Sequence, residues 1–536
     1  MSRHKPYKSR TSSSALHKRA GNTAAKLSAK PFAKPHVKLQ AKHRYAIAVV
    51  VLTLLVLALR LAVSFEVAQP GYESYFALIQ AESIRETGLP RYDDPYSYQG
   101  RRYAFDPAFY YVISLATLFL PETLAVKLLP NLFMVLLIPL VYLLSHALTK
   151  KRGVSFLAAF FASFSPALFT LGINQATPLS FALPLLAATL LALVELEEHS
   201  VRALIFTALL TLVSPLVWLL LFAEVAYLLI LAAEKLKVTV AHLEVALVTL
   251  LMAAWYTLLT YKQALFMHGI DILAQSLPET VRTATFEHFT FLAMLYAVGV
   301  IPLAMGSLAL YYTTFEQRSR KVLFIASLGL ITLLAAVLVL IPLELALVLL
   351  SLVFAILAGP GLHGGLLQLR KTKFECFTIP LSILIIIFFL LTSFLPGLVT
   401  GLYPGSSPTP SELNAIAWIR NSTSEDSVIA ASPKTGFLIN HVAQRAYLAD
   451  EAYLLIANPD EVLADIDELY TTPRTVAAIT LTDKYGVTDI LVGPQVNQRY
   501  PELGAIITDT QCFPRLYMNA QVFVLGVNCT LFGGGR

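Results

Sequence analysis

The sequence predicts an α-helical polytopic membrane protein with about eleven transmembrane helices and a C-terminal extracytoplasmic α/β domain. Three observations predict it. Hydrophobic residues make up 56% of the 536 positions and charged residues only 14%, with mean hydropathy +0.66, too apolar for a surface facing water. Runs of about 17 or more apolar residues recur from Tyr45 onward, each long enough to cross roughly 30 Å of hydrocarbon as a helix. The charge is also uneven, because Met1 to Arg44 holds twelve Lys or Arg and no Asp or Glu.

Residues 1–44 lack the apolar side chains to fold and read as a disordered basic cytoplasmic tail. Such a tail also suits RNA, but beside a span it reads as an orienting segment that touches anionic headgroups, with no nucleic acid as partner. Residues 45–65 exceed a cleaved signal's apolar core and read as the first retained span. Further spans are expected at 123–148, 153–170, 178–195, 202–214, 216–233, 240–260, 289–314, 322–341, 343–360 and 375–397, within a transmembrane domain of residues 45–400. With the N-terminus cytoplasmic, short inner loops carry twelve Lys or Arg and short outer loops only Lys262 and Arg282. Residues 401–536 then lie outside the cell membrane.

Two outer loops, 66–122 and 261–288, are long among otherwise tight connections, which marks them as functional. The first carries Gly71-Tyr72-Glu73-Ser74-Tyr75-Phe76, Arg91-Tyr92-Asp93-Asp94-Pro95-Tyr96 and an apolar piece, Pro107 to Leu120, expected along the membrane surface. From Ser411 the pattern becomes soluble α/β. Ser411 is expected to cap a helix through Arg420, followed by a strand at Val428 to Ala431, a helix at Asp460 to Tyr470, a strand at Val487 to Val492 and an edge hairpin strand at Gln521 to Val527. Cys512 and Cys529 flank that hairpin and can form a disulfide outside the cell. Cys376 reads as a small apolar residue, and Asn421-Ser422-Thr423 and Asn528-Cys529-Thr530 are glycosylation sequons.

Glu73 is the leading chemical candidate, a carboxylate just beyond the first span among Tyr72, Tyr75 and Phe76, where it can meet a membrane-bound phosphate sugar or an acceptor hydroxyl. Its bland alternative is the first acid of an amphipathic helix, favoured by the helix dipole. Asp93, Asp94, Asp106 and Glu279 are the carboxylates available as partners, with Asp94 and Glu279 placed beside Glu73 as catalytic candidates. Arg101, Arg102 and Lys127 sit where a polyprenyl phosphate or pyrophosphate can be held, although interfacial cations also snorkel for structural reasons. Glu224 and Glu244 fall inside spans, where a charge needs a cavity or a partner. Zinc spacing, a phosphate-binding glycine loop and a nucleophile elbow are all missing.

This order of features resembles the GT-C superfamily of polyprenyl-phosphate-dependent glycosyltransferases, and within it the catalytic subunit of the oligosaccharyltransferase. Gly71-Tyr72-Glu73-Ser74-Tyr75 resembles that family's first acidic motif, which implies Glu73 as ligand to a divalent Mg or Mn. At the matching second motif, DxD, the chain reads Gln175-Ala176-Thr177. Ser276-Leu277-Pro278-Glu279 resembles the external-loop SVSE or TIxE motif, implying Ser276 and Glu279 at the acceptor. Where the family has an Arg for the donor pyrophosphate, Pro342-Leu343-Glu344-Leu345 carries an acid. The WWDYG acceptor motif is replaced by Ser432-Pro433-Lys434-Thr435-Gly436, leaving Lys434 and Gly436 as the acceptor-side candidates.

The resemblance implies transfer of a sugar or glycan from a polyprenyl-phosphate-linked donor to a lipid, glycan or protein acceptor on the outer face. Its alternative is a non-catalytic relative that binds a polyprenyl lipid or scaffolds a glycosylation complex. A transporter fits less well, since the spans show no repeated halves.

Overall fold

The computed structural model describes residues 35–536, apart from 99, 198–199, 270–289, 314, 316–318, 374, 403–406, 457 and 532–536. The chain divides after Arg44, and Tyr45 to Arg536 makes up the larger unit.

Each predicted span is met by a helix or a helix pair. Among the described residues, seven helices are long and apolar enough to cross a membrane, including His43–Glu66, Glu122–Thr149, Val240–His268 and Leu343–Arg370. The pair Phe291–Val298 and Val300–Tyr312, bent by 79° at Gly299, counts as an eighth if taken as one span. The helices Arg152–Phe164, Pro178–Val194 and Ser200–Val213 are apolar but shorter than a full crossing. The helix Leu343–Arg370 forms the buried axis, with Leu349, Leu352, Ala355 and Ile356 sealed in the main hydrophobic cluster, while Leu54, Leu251, Trp255 and Ile379 face outward as lipid-facing residues do. Helix Val300–Tyr312 approaches this axis so closely that a Cβ on Gly361 would meet the Met305 carbonyl oxygen at 1.7 Å. Small residues at such crossings let backbones touch where the hydrophobic effect supplies no drive.

The first loop folds as the helix Glu73–Thr87, a two-stranded hairpin of β1 (Asp93–Asp94) and β2 (Arg101–Arg102), and the helix Ala108–Thr117. That last helix falls within the apolar piece Pro107 to Leu120 and buries Phe109, Tyr110 and Ile113 against the protein while Leu115 stays exposed.

The C-terminal region forms a five-stranded sheet of β3 (Val428–Ala430), β4 (Ala446–Tyr447), β5 (Asp489–Val492), β6 (Arg515–Met518) and β7 (Phe523–Gly526), in the order β4-β3-β5-β7-β6. β3 pairs parallel with β4 and β5, and the β6–β7 hairpin joins antiparallel through β7. Two expectations need correcting. The strand foreseen at 521–527 is interior, because β6 takes the edge. The helix Pro410–Ser422 is capped by Thr409, whose side chain accepts from Glu412 N, and not by Ser411. A Pro at the first helical position favours the frame whose cap lies two residues earlier.

The first loop and the sheet are one body. Tyr98 N donates to Tyr447 O at 3.0 Å and Tyr447 N to Tyr96 O at 3.0 Å, so the loop covers the edge of β4 through a single parallel bridge at Ser97. A single hydrophobic cluster runs from Tyr75, Leu78 and Phe109 of the loop to Ile416, Phe437 and Val524 of the sheet domain. At the far end Cys512 and Cys529 are bonded across 17 residues of separation. Replacing both with Ser should destabilise this domain by about 3 kcal/mol, the cost of freeing a loop of that length in the unfolded chain. Thermal unfolding of the wild type and the double variant, with and without reductant, checks this, and an unchanged midpoint would refute it.

Candidate active site

Glu73 opens the helix Glu73–Thr87, where its carboxylate adds favourably to the helix dipole. The chain ahead of it is pinned. Gly71 N donates to Asn174 O at 2.7 Å, Asn174 Nδ2 to Gln69 O at 2.8 Å, and Ala176 N to Ser74 Oγ at 2.9 Å. The turn carrying Gln175 and Thr177 is thereby stitched to the start of the Glu73 helix. In it Thr177 Oγ1 and Asn174 Oδ1 are buried without a partner.

Around Glu73 stand charges from three distant parts of the chain. Glu73 keeps part of its surface open, yet burial first and Glu344 second push its pKa up to about 7, with Lys434 opposing. Glu451, in the turn after β4, is pushed well above the usual carboxylate range, first by burial and then by Glu73, with Lys434 again opposing and Asp450 and Glu344 adding. Two like charges brought together out of water do not both ionise readily, so they titrate as a pair. Glu344 begins the helix Leu343–Arg370, and Lys434 lies exposed on the turn after β3.

A second carboxylate approaches from the loop itself. Asp106 is buried, accepts from Tyr261 Oη at 3.3 Å, and is pushed up to about 6 by loss of water. Tyr110 feels both Asp106 and Glu73, which together with burial raise its pKa. On the other flank Tyr72 Oη donates to Glu412 Oε2 at 2.6 Å, and burial pushes Glu412 up to about 7.

Several expected residues belong to a different constellation. Asp94 Oδ2 accepts from Tyr103 Oη at 2.7 Å and Tyr447 Oη at 2.8 Å, and Asn440 Nδ2 reaches Oδ1 at 3.0 Å. Arg101 forms a buried ion pair with Asp450, adds a bond to Ala452 O at 3.2 Å, and stacks over the Tyr103 ring. Asp94 and Arg101 thus form a buried latch between the first loop and the sheet domain, and the Arg101 guanidinium is committed to Asp450 and not to a phosphate. Lys127 is committed as well: its Nζ donates to the carbonyls of Ser64, Val67 and Ala68, closing the C-terminal end of the first span. Arg102 stays half-exposed at 3.9 Å from Asp93 and lines a cavity of about 960 Å³ with His268, Leu455, Glu461 and Tyr485, while Glu73 is not among its walls. Ser276 and Glu279 lie outside the described residues.

Gly436 has a clear reason to be glycine. A Cβ there would lie 2.5 Å from Asp450 Cβ and 2.6 Å from Ala449 O, so the turn carrying Lys434 rests directly on the turn carrying Glu451. Sequence reasoning missed Glu451, whose only signal is an acidic pair, Asp450-Glu451, set in an apolar stretch after a short strand.

No family profile matches the sequence, and no curated protein does either. Solved structures do match. The archaeal oligosaccharyltransferase AglB from Archaeoglobus fulgidus, in complex with an inhibitory peptide and a dolichol-phosphate, aligns with a TM-score of 0.61 at 14% identity, over 84% of this chain and 70% of its own. The Archaeoglobus fulgidus oligosaccharyltransferase in complex with Zn and sulfate aligns at 0.54 and 15% identity, over 88% and 73%. ArnT from Cupriavidus metallidurans, bound to undecaprenyl phosphate, aligns at 0.50 and 13% identity, over 91% and 99%.

Proposed function

We propose, for a chain that has the GT-C fold of the oligosaccharyltransferase and ArnT structures, that it transfers a sugar or glycan from a polyprenyl-phosphate-linked donor to an acceptor on the outer face of the membrane. The observation that carries this reading is Glu73, a carboxylate at a pinned helix start whose pKa rises to about 7 through burial and Glu344. A general base is most effective when its pKa lies near the working pH, because it is then both largely ionised and willing to take a proton. Glu73 accepts the acceptor's proton as the acceptor attacks the anomeric carbon, in a single displacement that expels the phosphate. The dolichol-phosphate and undecaprenyl phosphate of the two neighbours support a lipid-linked donor, and the inhibitory peptide supports a protein among the acceptors. The inner-loop basic residues and the bonded Cys512 and Cys529 support an outer position for the sheet domain and an inner one for the tail.

The test uses membranes carrying the full chain, incubated with radiolabelled polyprenyl-phosphate sugars, with mass spectrometry of the product. Label should move to a new lipid, glycan or protein. If donors bind and none is ever transferred, the scaffold reading, which the loss of acids at Gln175 and Thr177 favours, replaces the catalytic one.

Transfer should also rise with pH through about 7, as Glu73 ionises. The sign for stability is opposite. A carboxylate whose folded pKa is raised costs nothing below its unfolded value, destabilises the fold progressively as pH climbs from there to the folded value, and adds no further loss above it. A pH series of initial rates beside melting midpoints separates the two, and a rate that falls from pH 6 to 8 before the protein melts would remove Glu73 as the base.

A further inference from the structure

Among the described residues no group of three His, Cys, Asp or Glu could hold a metal, and Gln175 and Thr177 bring neutral side chains, so the surroundings of Glu73 are a poor fit for a divalent cation. A separate place, between the first loop and the sheet domain, has the size and the chemistry for an organic ligand. It is the cavity of about 960 Å³ bounded by the β1–β2 hairpin, the last turn of the helix Val240–His268 and the sheet domain around Leu455, Asn458 and Tyr485. Its volume lies near the top of the roughly 300–1,000 Å³ that small-molecule sites span. Glu73, Glu344, Lys434 and Glu451 are not among its walls.

The charges on those walls are balanced and already paired. Asp93, Asp94 and Glu461 stand with Arg101, Arg102 and Lys484. Arg101 is bound to Asp450, Arg102 lies 3.9 Å from Asp93, and Lys484 Nζ lies 2.6 Å from Glu461 and 2.5 Å from Asp465. An anionic group, a phosphate included, would have to displace a carboxylate from each cation it met. A neutral ligand rich in hydroxyls would not. The Arg101 side chain lines the cavity, and its Nε is buried without a partner, a donor that a ligand oxygen would satisfy. Apolar surface comes from Pro95, Leu455 and the half-buried Tyr98, whose ring stands edge-on to Tyr485 at 5.3 Å between centroids. A sugar has both characters, hydroxyls around its rim and C–H groups on its faces. An extended peptide gains affinity by adding to a strand edge, and the β4 edge is already bridged by the first loop at Ser97.

We infer that this cavity is an oligosaccharide-binding site, which holds sugars of a neutral glycan other than the one that reacts. The source of that glycan, donor or acceptor, rests on the proposed transfer reaction. The cavity is too large for one sugar ring to fill, so the occupant has at least two. The wall formed by Asp94 and Arg101 belongs to the latch, and Asp450, which holds Arg101, is followed directly by Glu451. A glycan lodged there is gripped by the same rigid body that carries Glu73, and contacts remote from the bond that breaks can then orient it.

The test uses the full chain in lipid nanodiscs and an array of neutral di- to hexasaccharides of hexoses and N-acetylhexosamines, with a sequon-containing peptide as a second probe. The wild type should bind a subset of the oligosaccharides, and the corresponding monosaccharides about tenfold more weakly or worse. Tyr98→Ala and Arg102→Ala should each weaken that binding about tenfold, the worth of one packed ring or one hydrogen bond to a charged group. Arg102 is half-exposed and its pair with Asp93 adds little to folding, so Arg102→Ala remains informative if Tyr98→Ala does not fold. In transfer assays the variants should lose a KM advantage of oligosaccharide donors over single-sugar donors if the glycan is the donor's. They should lose that of glycan acceptors over simple alcohols if it is the acceptor's. No oligosaccharide bound, equal binding by wild type and Arg102→Ala, no KM advantage of either kind, or peptide binding weakened in place of sugar binding would each overturn the inference and leave the transferase reading standing. Oligosaccharide binding with no transfer from any donor would remove the transferase reading alone.

Discussion

Glu73→Gln should lower transfer by about 10²- to 10⁴-fold while polyprenyl-phosphate binding stays close to wild type, because an amide of the same shape cannot take a proton. The reasoning rests on where Glu73 stands. Its helix start is tied to the Asn174–Thr177 turn by a backbone bond from Gly71 N to Asn174 O and by Ala176 N donating to Ser74 Oγ, neither of which involves the carboxylate, so the exchange leaves the local fold in place. It also removes a negative charge from beside Glu451, whose pKa should fall toward the ordinary range. Glu73→Asp, one methylene shorter, should recover part of the rate. Equal initial rates for wild type and Glu73→Gln, in membranes of matched expression, would end the assignment of Glu73 as base and move attention to Asp106, the other buried acid that Tyr110 senses.

Arg101→Met should destabilise the chain by about 3–5 kcal/mol, since it strands Asp450 as an uncompensated buried carboxylate. Asp450 would still accept from Tyr447 Oη at 2.8 Å and Ala452 N at 2.8 Å, which places the cost toward the lower end. The double change Arg101→Met with Asp450→Leu should cost clearly less than the sum of the single ones, because removing both charges leaves none unpaired. Thermal unfolding of the four proteins in one detergent gives the cycle. Additive losses would mean that Arg101 and Asp450 do not act on each other, and the latch would then have to rest on Asp94, Tyr103 and Tyr447.

Much of this molecule is legible residue by residue. The spans are readable because an apolar run must become a helix once water is gone, whatever its neighbours. The strand at 428 and the helix near 460 are readable because their apolar period is local. Thr409 and not Ser411 caps the following helix because Pro410 accepts the first helical position, a shift of two residues that local propensity leaves nearly level. The interior place of β7 was hidden for another reason: which strand takes an edge depends on β5 and β6, far apart in sequence.

The sequence by itself determined a multi-pass membrane protein with a soluble C-terminal region and one acid, Glu73, just after the first span. Those features are set by solvent preference and spacing along the chain. Tertiary structure decided which charges meet. Arg101 and Lys127 look in sequence like free interfacial cations, but burial assigns one to Asp450 and the other to the carbonyls ending the first span. Glu451 is unremarkable where it stands in the sequence, and Glu344 and Lys434 appear there only as departures from family motifs; folding is what couples the three electrostatically to Glu73. Electrostatic coupling falls with distance and grows as water is excluded, and both quantities exist only once the chain is folded.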